Sequence, residues 1–366
     1  MKVLFQARPN LFTSFGGDSV QILKTKEYLE KLGVNIDIST ELSPNVEKYD
    51  LIHAFNVTTP QDIISCLRAA KQKNKKTLLS TIYVDYTEFE RKARGGIAQL
   101  LFNIISPNSI QYTKVLLKAI KNRNFNSGIL DILKFGYYGA IKETLSLIDI
   151  YLPNSYSEMN RMTKDFNLQN ASYMVIPNAI DTALFNYNSE YNIKSDIKDC
   201  ILSVGRIEGR KSHLNLVKAM RDLPYKLVII GKASPNQKSY YDKVKREAGD
   251  NVVFIEHIEH NELPIYYKSA KVHCLISWME TTGLVSLEAG AMGCNLVITD
   301  KGDTKEYFED NAFYCEPDNI NSIKNAIKKA YESPVNYDFI KKITEKYNWE
   351  ITAQKTLEAY NKLLSK

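Results

Sequence analysis

The chain has 366 residues, 44% hydrophobic and 25% charged, with a formal net charge of +6 at pH 7. That length suits two domains, and the composition is globular, with no repeat and no low-complexity tract. Five scattered cysteines (Cys66, Cys200, Cys274, Cys294, Cys315) form no Cys-x-x-Cys pair, which excludes a disulfide framework or zinc ribbon and fits reduced thiols in the cytosol.

Residues 2–7 read as a buried first strand, too short for a signal peptide. Gly16-Gly17-Asp18 follows, then a helix to about Leu32 and strands at 34–38 and 50–54. A helix over 61–73 and a strand at 77–82 continue the alternation. Strand, turn and helix in succession predict a parallel sheet with helices on both faces. From Thr87 to Glu143 the pattern gives way to a helical insertion. It resumes with a strand at 147–152, a helix at 155–165 and a strand at 173–176. A weakly periodic linker spans 178–198. A second alternating half has strands at 201–204, 226–230, 252–255, 272–276, 296–299 and 313–315, and a last helix runs to about Leu364. No apolar run is long enough to span a membrane.

The most informative stretch is Glu280-Thr281-Thr282-Gly283-Leu284-Val285-Ser286-Leu287-Glu288, followed by the small residues Ala289-Gly290-Ala291. Backbone N–H groups of Gly283 and Leu284 at a helix start suit a phosphate. Glu288 inside the helix can accept hydrogen bonds from ribose hydroxyls, and Glu280 before it can face a reacting sugar. Upstream, Ser203-Val204-Gly205-Arg206 leads to Lys211. Arg206 and Lys211 leave a strand end together and can neutralise a diphosphate, the first as a fixed fork and the second as a mobile point charge. Arg210 adds a cation without an assigned task. No Gly-x-x-x-x-Gly-Lys-Ser/Thr is present, which disfavours a nucleoside triphosphatase.

At Glu280…Glu288 and Gly205-Arg206…Lys211 the chain resembles the family-4 retaining glycosyltransferases of bacterial surface-polysaccharide type, whose signature is Glu, seven residues, Glu. The resemblance covers nearly all of the chain except 87–143. It implies a GT-B fold: two Rossmann-like α/β domains with an inter-domain cleft and a helical insertion in the first. The expected domains are 1–180 for the acceptor, 181–345 for the donor and 346–366 as a helix returning to the first. It also implies a retaining, metal-independent hexosyltransferase. A UDP-sugar is the favoured donor and GDP-mannose the next, with a lipid-linked or polysaccharide acceptor. Glu280, Arg206 and Lys211 take the catalytic roles. Gly16, Gly17, Gly283, Leu284 and Glu288 complete the donor site, with no cofactor and no metal.

Similar enzymes carry a histidine after the strand equivalent to 77–82; here Tyr83-Val84-Asp85-Tyr86 stands there. Tyr83 and Asp85, with Ser155, are candidate acceptor or sugar contacts; the plainer reading of Tyr83 is packing. Val175-Ile176-Pro177-Asn178-Ala179 resembles the family hinge, with Ala179 for the usual glycine, which requires a backbone outside the left-handed region. Gly302 to Tyr307 resembles the family's Gly-Gly-x-x-Glu turn, with Glu306 structural. His257 and His260 lie among glutamates in a loop that follows a strand, which disfavours converging metal ligands; the resemblance places this loop near the nucleobase. His53 reads as a satisfied core histidine.

From Arg91 to Lys142 there are nine cations and one acid, Asp131, a net +8. Leucines and aromatics lie between them, including Leu100–Phe102 and Leu116-Leu117. Such a segment suits an anionic membrane surface, placing the protein in the cytoplasm at the inner face of the plasma membrane. The competing reading is a helical pair with solvated lysines. Nucleic acid is not expected, since no motif for it accompanies the charge. Rival functions are a sugar-nucleotide epimerase of similar fold, a glycoside hydrolase using both glutamates, and a non-catalytic sugar-binding relative.

Overall fold

The computed structural model describes residues 1–93, 106–122 and 125–365. The chain divides into two compact units. One comprises Met1–Thr87, Gly96–Asn178 and Trp349–Lys366; the other comprises Glu88–Gly95 and Ala179–Asn348.

The first unit begins with β1 (Lys2–Gln6), α1 (Gly17–Lys31), β2 (Asn35–Ser39), β3 (Leu51–Phe55), α2 (Ile64–Gln72) and β4 (Lys76–Ser80). After α3 (Thr87–Lys92), which beyond Thr87 belongs to the second unit, come α4 (Pro107–Asn122) and α5 (Ser127–Ser146), then β5 (Ile150–Leu152) and α6 (Tyr156–Phe166). Its five strands are parallel in the order β2-β1-β3-β4-β5. Strands covered on both faces must be apolar throughout, and Leu51–Phe55 is buried at every position. The polar member, His53, satisfies both ring nitrogens, on Tyr360 Oη at 2.7 Å and Ser80 Oγ at 2.9 Å. Residues 173–176, expected as a strand, run parallel to β5 at the sheet edge: Tyr173 bridges Tyr151, the Met174 N–H donates to the Tyr151 carbonyl at 3.0 Å and the Ile176 N–H to the Pro153 carbonyl at 2.9 Å.

The insertion forms a helical hairpin. Asn126 caps α5 through the Ile129 N–H. At Gly136 (φ 74°) α5 kinks, and the Asn108 carboxamide from α4 accepts the Tyr138 N–H on the far side of the kink. Gly128 is seated so closely on the backbone of Gln61 that a Cβ would come 2.3 Å from its carbonyl oxygen. Arg94, Leu100–Phe102, Ile104, Ile105 and Arg123, which belong to the basic and apolar reading of this insertion, lie outside the described residues.

The second unit contains β6 (Cys200–Val204), α7 (His213–Met220), β7 (Leu227–Ile230), α8 (Lys238–Glu247), β8 (Val252–Ile255), α9 (Leu263–Ser269), β9 (Ala270–Leu275) and α10 (Leu284–Ala291). It continues with β10 (Asn295–Ile298), α11 (Thr304–Phe308), β11 (Ala312–Tyr314), α12 (Ile320–Glu332) and α13 (Tyr337–Lys346). All six strands are parallel in the order β11-β10-β9-β6-β7-β8. This is the doubly wound order, and it reverses direction between β6 and β9, the switch point where such sheets open a crevice at their strand ends. Apolar clusters on both sides of the sheet, one around Leu202, Leu287 and Leu296 and one around Ile201, Leu216 and Ile327, form its core.

The last helix, α14 (Trp349–Leu364), belongs to the first unit and packs on α1. The unit boundary follows Asn178, whose amide donates to Gln21 at 3.2 Å. Ala179 is buried and is not among the residues with positive φ, so its methyl costs no backbone strain.

Candidate active site

The strand ends at the switch point of the second unit place two loops side by side. One leaves β6 and runs from Gly205 to Lys211; the other leaves β9 and leads to Gly283 at the start of α10. They are tied by the Trp278 N–H, which donates to the Arg210 carbonyl at 2.8 Å. Gly231, at the end of β7, is required by the first loop: a Cβ there would lie 2.0 Å from the Gly205 oxygen.

Within the first loop Arg206 is exposed. The Lys211 side chain lies over Gly205, where a Cβ would come within 2.7 Å of its Nζ. Burial pushes the Lys211 ammonium below its ordinary value, and the Glu280 carboxylate resists that shift. Arg210, which sequence left without a task, has a structural one: its Nε donates to Glu208 at 2.6 Å. Ser234 Oγ donates to the other Glu208 oxygen at 2.9 Å. Burial would raise the Glu208 carboxyl, but Arg210, Ser234, Lys211 and Arg206 outweigh it and hold it below the usual carboxylate range.

In the second loop, Glu280 is fixed by its backbone. Its N–H donates to Lys301 and its carbonyl accepts from Asp303 at 2.9 Å. Gly302 (φ 85°) permits this approach, since a Cβ would sit 2.1 Å from the Glu280 oxygen. The turn resembling Gly-Gly-x-x-Glu thus serves to place Glu280. One Glu280 carboxylate oxygen is buried without a hydrogen-bond partner, as is the hydroxyl of Ser286 in the first turn of α10. Buried polar atoms are nearly always paired, so two unpaired ones beside a helix start mark a place built to receive hydroxyl or amide groups. Gly283 (φ 79°) begins α10 with no side-chain cap, leaving that end open to an anion.

Glu288 is 7% exposed and sits one turn further along α10. Its two oxygens have separate donors: Tyr267 Oη at 3.0 Å and His260 Nε2 at 3.1 Å. Sequence reasoning missed both partners. The available signal was a glutamate between Leu287 and Ala289 on an apolar helix, which needs a donor from a neighbouring element. His257 pairs with Glu259, and no group of three potential metal ligands occurs among the described residues.

The remaining candidates lie in the first unit. Gly16 is the extended N-cap of α1 (φ −157°), a conformation open to any residue, and Gly17 starts the helix. The Asp18 carboxylate accepts from Arg8 Nε at 2.6 Å. Arg8 also bonds the carbonyls of Asn10 and Ser14 and so organises the whole loop, a role sequence did not indicate. Tyr83 is a correction to the acceptor reading: its ring is 3% exposed and its hydroxyl is given to Asp165 at 2.7 Å, so it packs. Asp85 accepts from the N–H and hydroxyl of Thr87 and starts α3. Ser155 is fully buried as the N-cap of α6, accepting the Glu158 N–H. Tyr83 and Ser155 are buried, whereas Asp85 is half-buried.

The family model of the glycosyl transferases group 1 matches residues 188–347. An uncharacterized glycosyltransferase of Methanocaldococcus jannaschii is 29% identical over 217 residues, 53% of this chain and 55% of that one. The Campylobacter jejuni N-acetylgalactosamine-N,N'-diacetylbacillosaminyl-diphospho-undecaprenol 4-alpha-N-acetylgalactosaminyltransferase is 26% identical over 68% of this chain and 64% of its own. The chain spans between half and two thirds of the length of the curated relatives it matches. Among solved structures, sucrose-phosphate synthase from Thermosynechococcus elongatus superposes with a TM-score of 0.73 at 17% identity, over 100% of this chain and 99% of that one. Anabaena HepE in complex with UDP and glucose gives 0.69 at 15% identity, over 99% and 100%. The fold is therefore GT-B, and residues 188–347 of the chain match the family model of the glycosyl transferases group 1.

Proposed function

We propose that this protein is a retaining glycosyltransferase that moves a sugar from a nucleoside diphosphate to a lipid-linked or polysaccharide acceptor. The second unit takes the donor and the first the acceptor. UDP is the favoured nucleotide and GDP the next. The observation that carries this reading is the buried, unpartnered Glu280 oxygen on the strand edge that bears Lys211, Arg206 and the uncapped start of α10.

In this reading Glu288, held by Tyr267 and His260, accepts the ribose hydroxyls. Arg206, Lys211 and the N–H groups at Gly283 and Leu284 receive the diphosphate, and Glu280 orients the sugar. The bond from the anomeric carbon to the diphosphate oxygen breaks while that carbon bonds the acceptor hydroxyl on the same face. The hydroxyl proton passes to the departing diphosphate oxygen. The two cations supply the charge that a metal ion would otherwise bring.

The hairpin supports an anionic membrane surface as the place of work. Leu117 and Ile120 on α4, Phe125 before α5, and Leu130, Leu133 and Phe135 on α5 are exposed large apolar residues, and Lys118, Lys121 and Lys134 beside them are exposed too. No helix among the described residues is long and apolar enough to cross a membrane.

The test is a thermal-shift panel of UDP, GDP, TDP and ADP, followed by incubation with the radiolabelled sugar nucleotide of the selected base and extracted membrane lipid. A nucleotide that binds only the folded state raises its melting point. Label in the lipid or polymer fraction with retained anomeric configuration is the expected product. Selective nucleotide binding without any transfer would point to the sugar-binding relative instead.

A further inference from the structure

The first unit contains a cavity of about 330 Å3 between the turn after β3 and the helical hairpin. Its floor is the turn after β3, with Thr58, Gln61 and Asp62; its roof is the hairpin, with Lys114 and Lys118. The floor is firmly held. Tyr137 Oη donates to the Thr58 carbonyl at 2.9 Å, the Asp62 N–H donates to Thr59 at 2.9 Å, and Gly128 sits directly on Gln61.

Two features mark the cavity as more than a packing gap. Gln61 Oε1 is buried with no hydrogen-bond partner. Burial pushes the Asp62 carboxyl up to about 6, although Thr59, Lys118 and Arg8 pull it back. Against these acceptors stand Lys114 and Lys118, one helical turn apart and so on one face of α4. Val115, Ala119 and Ile129 supply apolar wall between them. Hydroxyl acceptors on one side, two ammonium groups on the other and an apolar wall suit a ring of hydroxyls that carries an anion. The volume is at the small end of ligand pockets, which run from ~300 to 1,000 Å3.

We propose that this cavity binds a glycosyl phosphate, with Gln61 and Asp62 taking the sugar hydroxyls and Lys114 and Lys118 the phosphate. The inference rests on the transferase reading, in which the first unit holds the acceptor, and it names that acceptor's chemical class. The phosphate is either that of a free sugar phosphate or that of a lipid-linked sugar.

The test is calorimetry on the full chain with UDP present, using glucose 1-phosphate, inorganic phosphate, glucose and a short-chain prenyl diphosphate-linked glucose in detergent. Glucose 1-phosphate should bind more tightly than phosphate or glucose alone. Lys118→Glu, at an exposed position, should weaken glucose 1-phosphate and phosphate alike by roughly ten- to a hundredfold, the scale of a lost charge-assisted hydrogen bond. Asp62→Ala should weaken glucose 1-phosphate and leave inorganic phosphate unchanged. Tighter binding of the prenyl-linked probe assigns the lipid source, and equal binding assigns the free one. Failure of glucose 1-phosphate to bind at millimolar concentration, or unchanged binding in Lys118→Glu, overturns the proposal. UDP titration in the same samples reads the donor site separately, so losing the acceptor cavity is told apart from losing the transferase reading.

Discussion

The Tyr267→Phe substitution removes one hydroxyl and leaves the ring in place. Tyr267 is fully buried, and its hydroxyl is the donor to Glu288 Oε2 at 3.0 Å. A hydrogen bond to a charged group contributes about 1.5–3 kcal/mol, so about 2 kcal/mol of stability should go from the second unit. The assay is urea unfolding followed by tryptophan fluorescence. The chain has two tryptophans, Trp278 in the second unit and Trp349 in the first, and a Trp349→Phe background reports the second unit alone. The same loss frees Glu288 to turn, so KM for the donor should rise about tenfold with kcat nearly kept, as for an interaction equal in ground and transition states. A double-mutant cycle isolates the bond. In a Glu288→Ala background the Tyr267 hydroxyl is itself buried without an acceptor, and its removal should cost nothing or stabilise. Equal costs in both backgrounds would refute the account of Glu288 as a carboxylate held by this hydroxyl.

Lys211→Ala or Arg206→Ala should lower turnover by at least ~100-fold, the scale of losing a leaving-group contact; near-normal rates in both variants would remove the diphosphate assignment. Transfer should survive EDTA, because the cations of the Gly205–Lys211 loop supply the positive charge, and activity restored only by Mn²⁺ or Mg²⁺ would count against this. Wild-type protein should sediment with anionic vesicles at low salt. Leu117→Asp with Leu130→Asp, at exposed positions that do not line the Lys114–Lys118 cavity, should abolish the salt-resistant part, since lipid burial of apolar side chains is not screened. Burial pushes His53, His213 and His273 each down to about 3. Their unfolded values lie near ~6.5, so their contribution to stability is complete above that pH and is lost as pH falls toward 3. The urea midpoint should decline steadily below pH 6.5, and a flat profile to pH 4.5 would show that these rings do not stay neutral.

The two loops at the switch point of the second unit were legible in the sequence because each is local. Gly205-Arg206…Lys211 and Glu280…Glu288 each lie on one strand-to-helix connection, where spacing alone decides which groups emerge together. The partners of Glu288 were hidden because Tyr267 and His260 come from α9 and the turn before it, and only tertiary packing brings them to α10. Tyr83 misled for the converse reason. Its position after β4 matched a functional place, but an acceptor for its hydroxyl, Asp165, waited at the end of α6. The alternation of strands and helices was readable throughout, and even 173–176, which forms no regular strand, runs parallel to β5 through the Met174 and Ile176 N–H groups.

The first unit is discontinuous, and this bears on how the protein is made. His53 is buried on β3 with Tyr360 from α14 as one of its two partners. Between them the ribosome must build the whole of Ala179–Asn348. Roughly 170 residues at ~5–20 per second amount to about 10–35 s during which His53 lacks that partner and the face of α1 that receives α14 lies open. The second unit is continuous apart from Glu88–Gly95 and can close before the first is finished. Order of synthesis and order of completion are thus reversed: the half that leaves the ribosome first is the last to be sealed, and in that interval its bare α1 surface is where a nascent-chain chaperone would be needed.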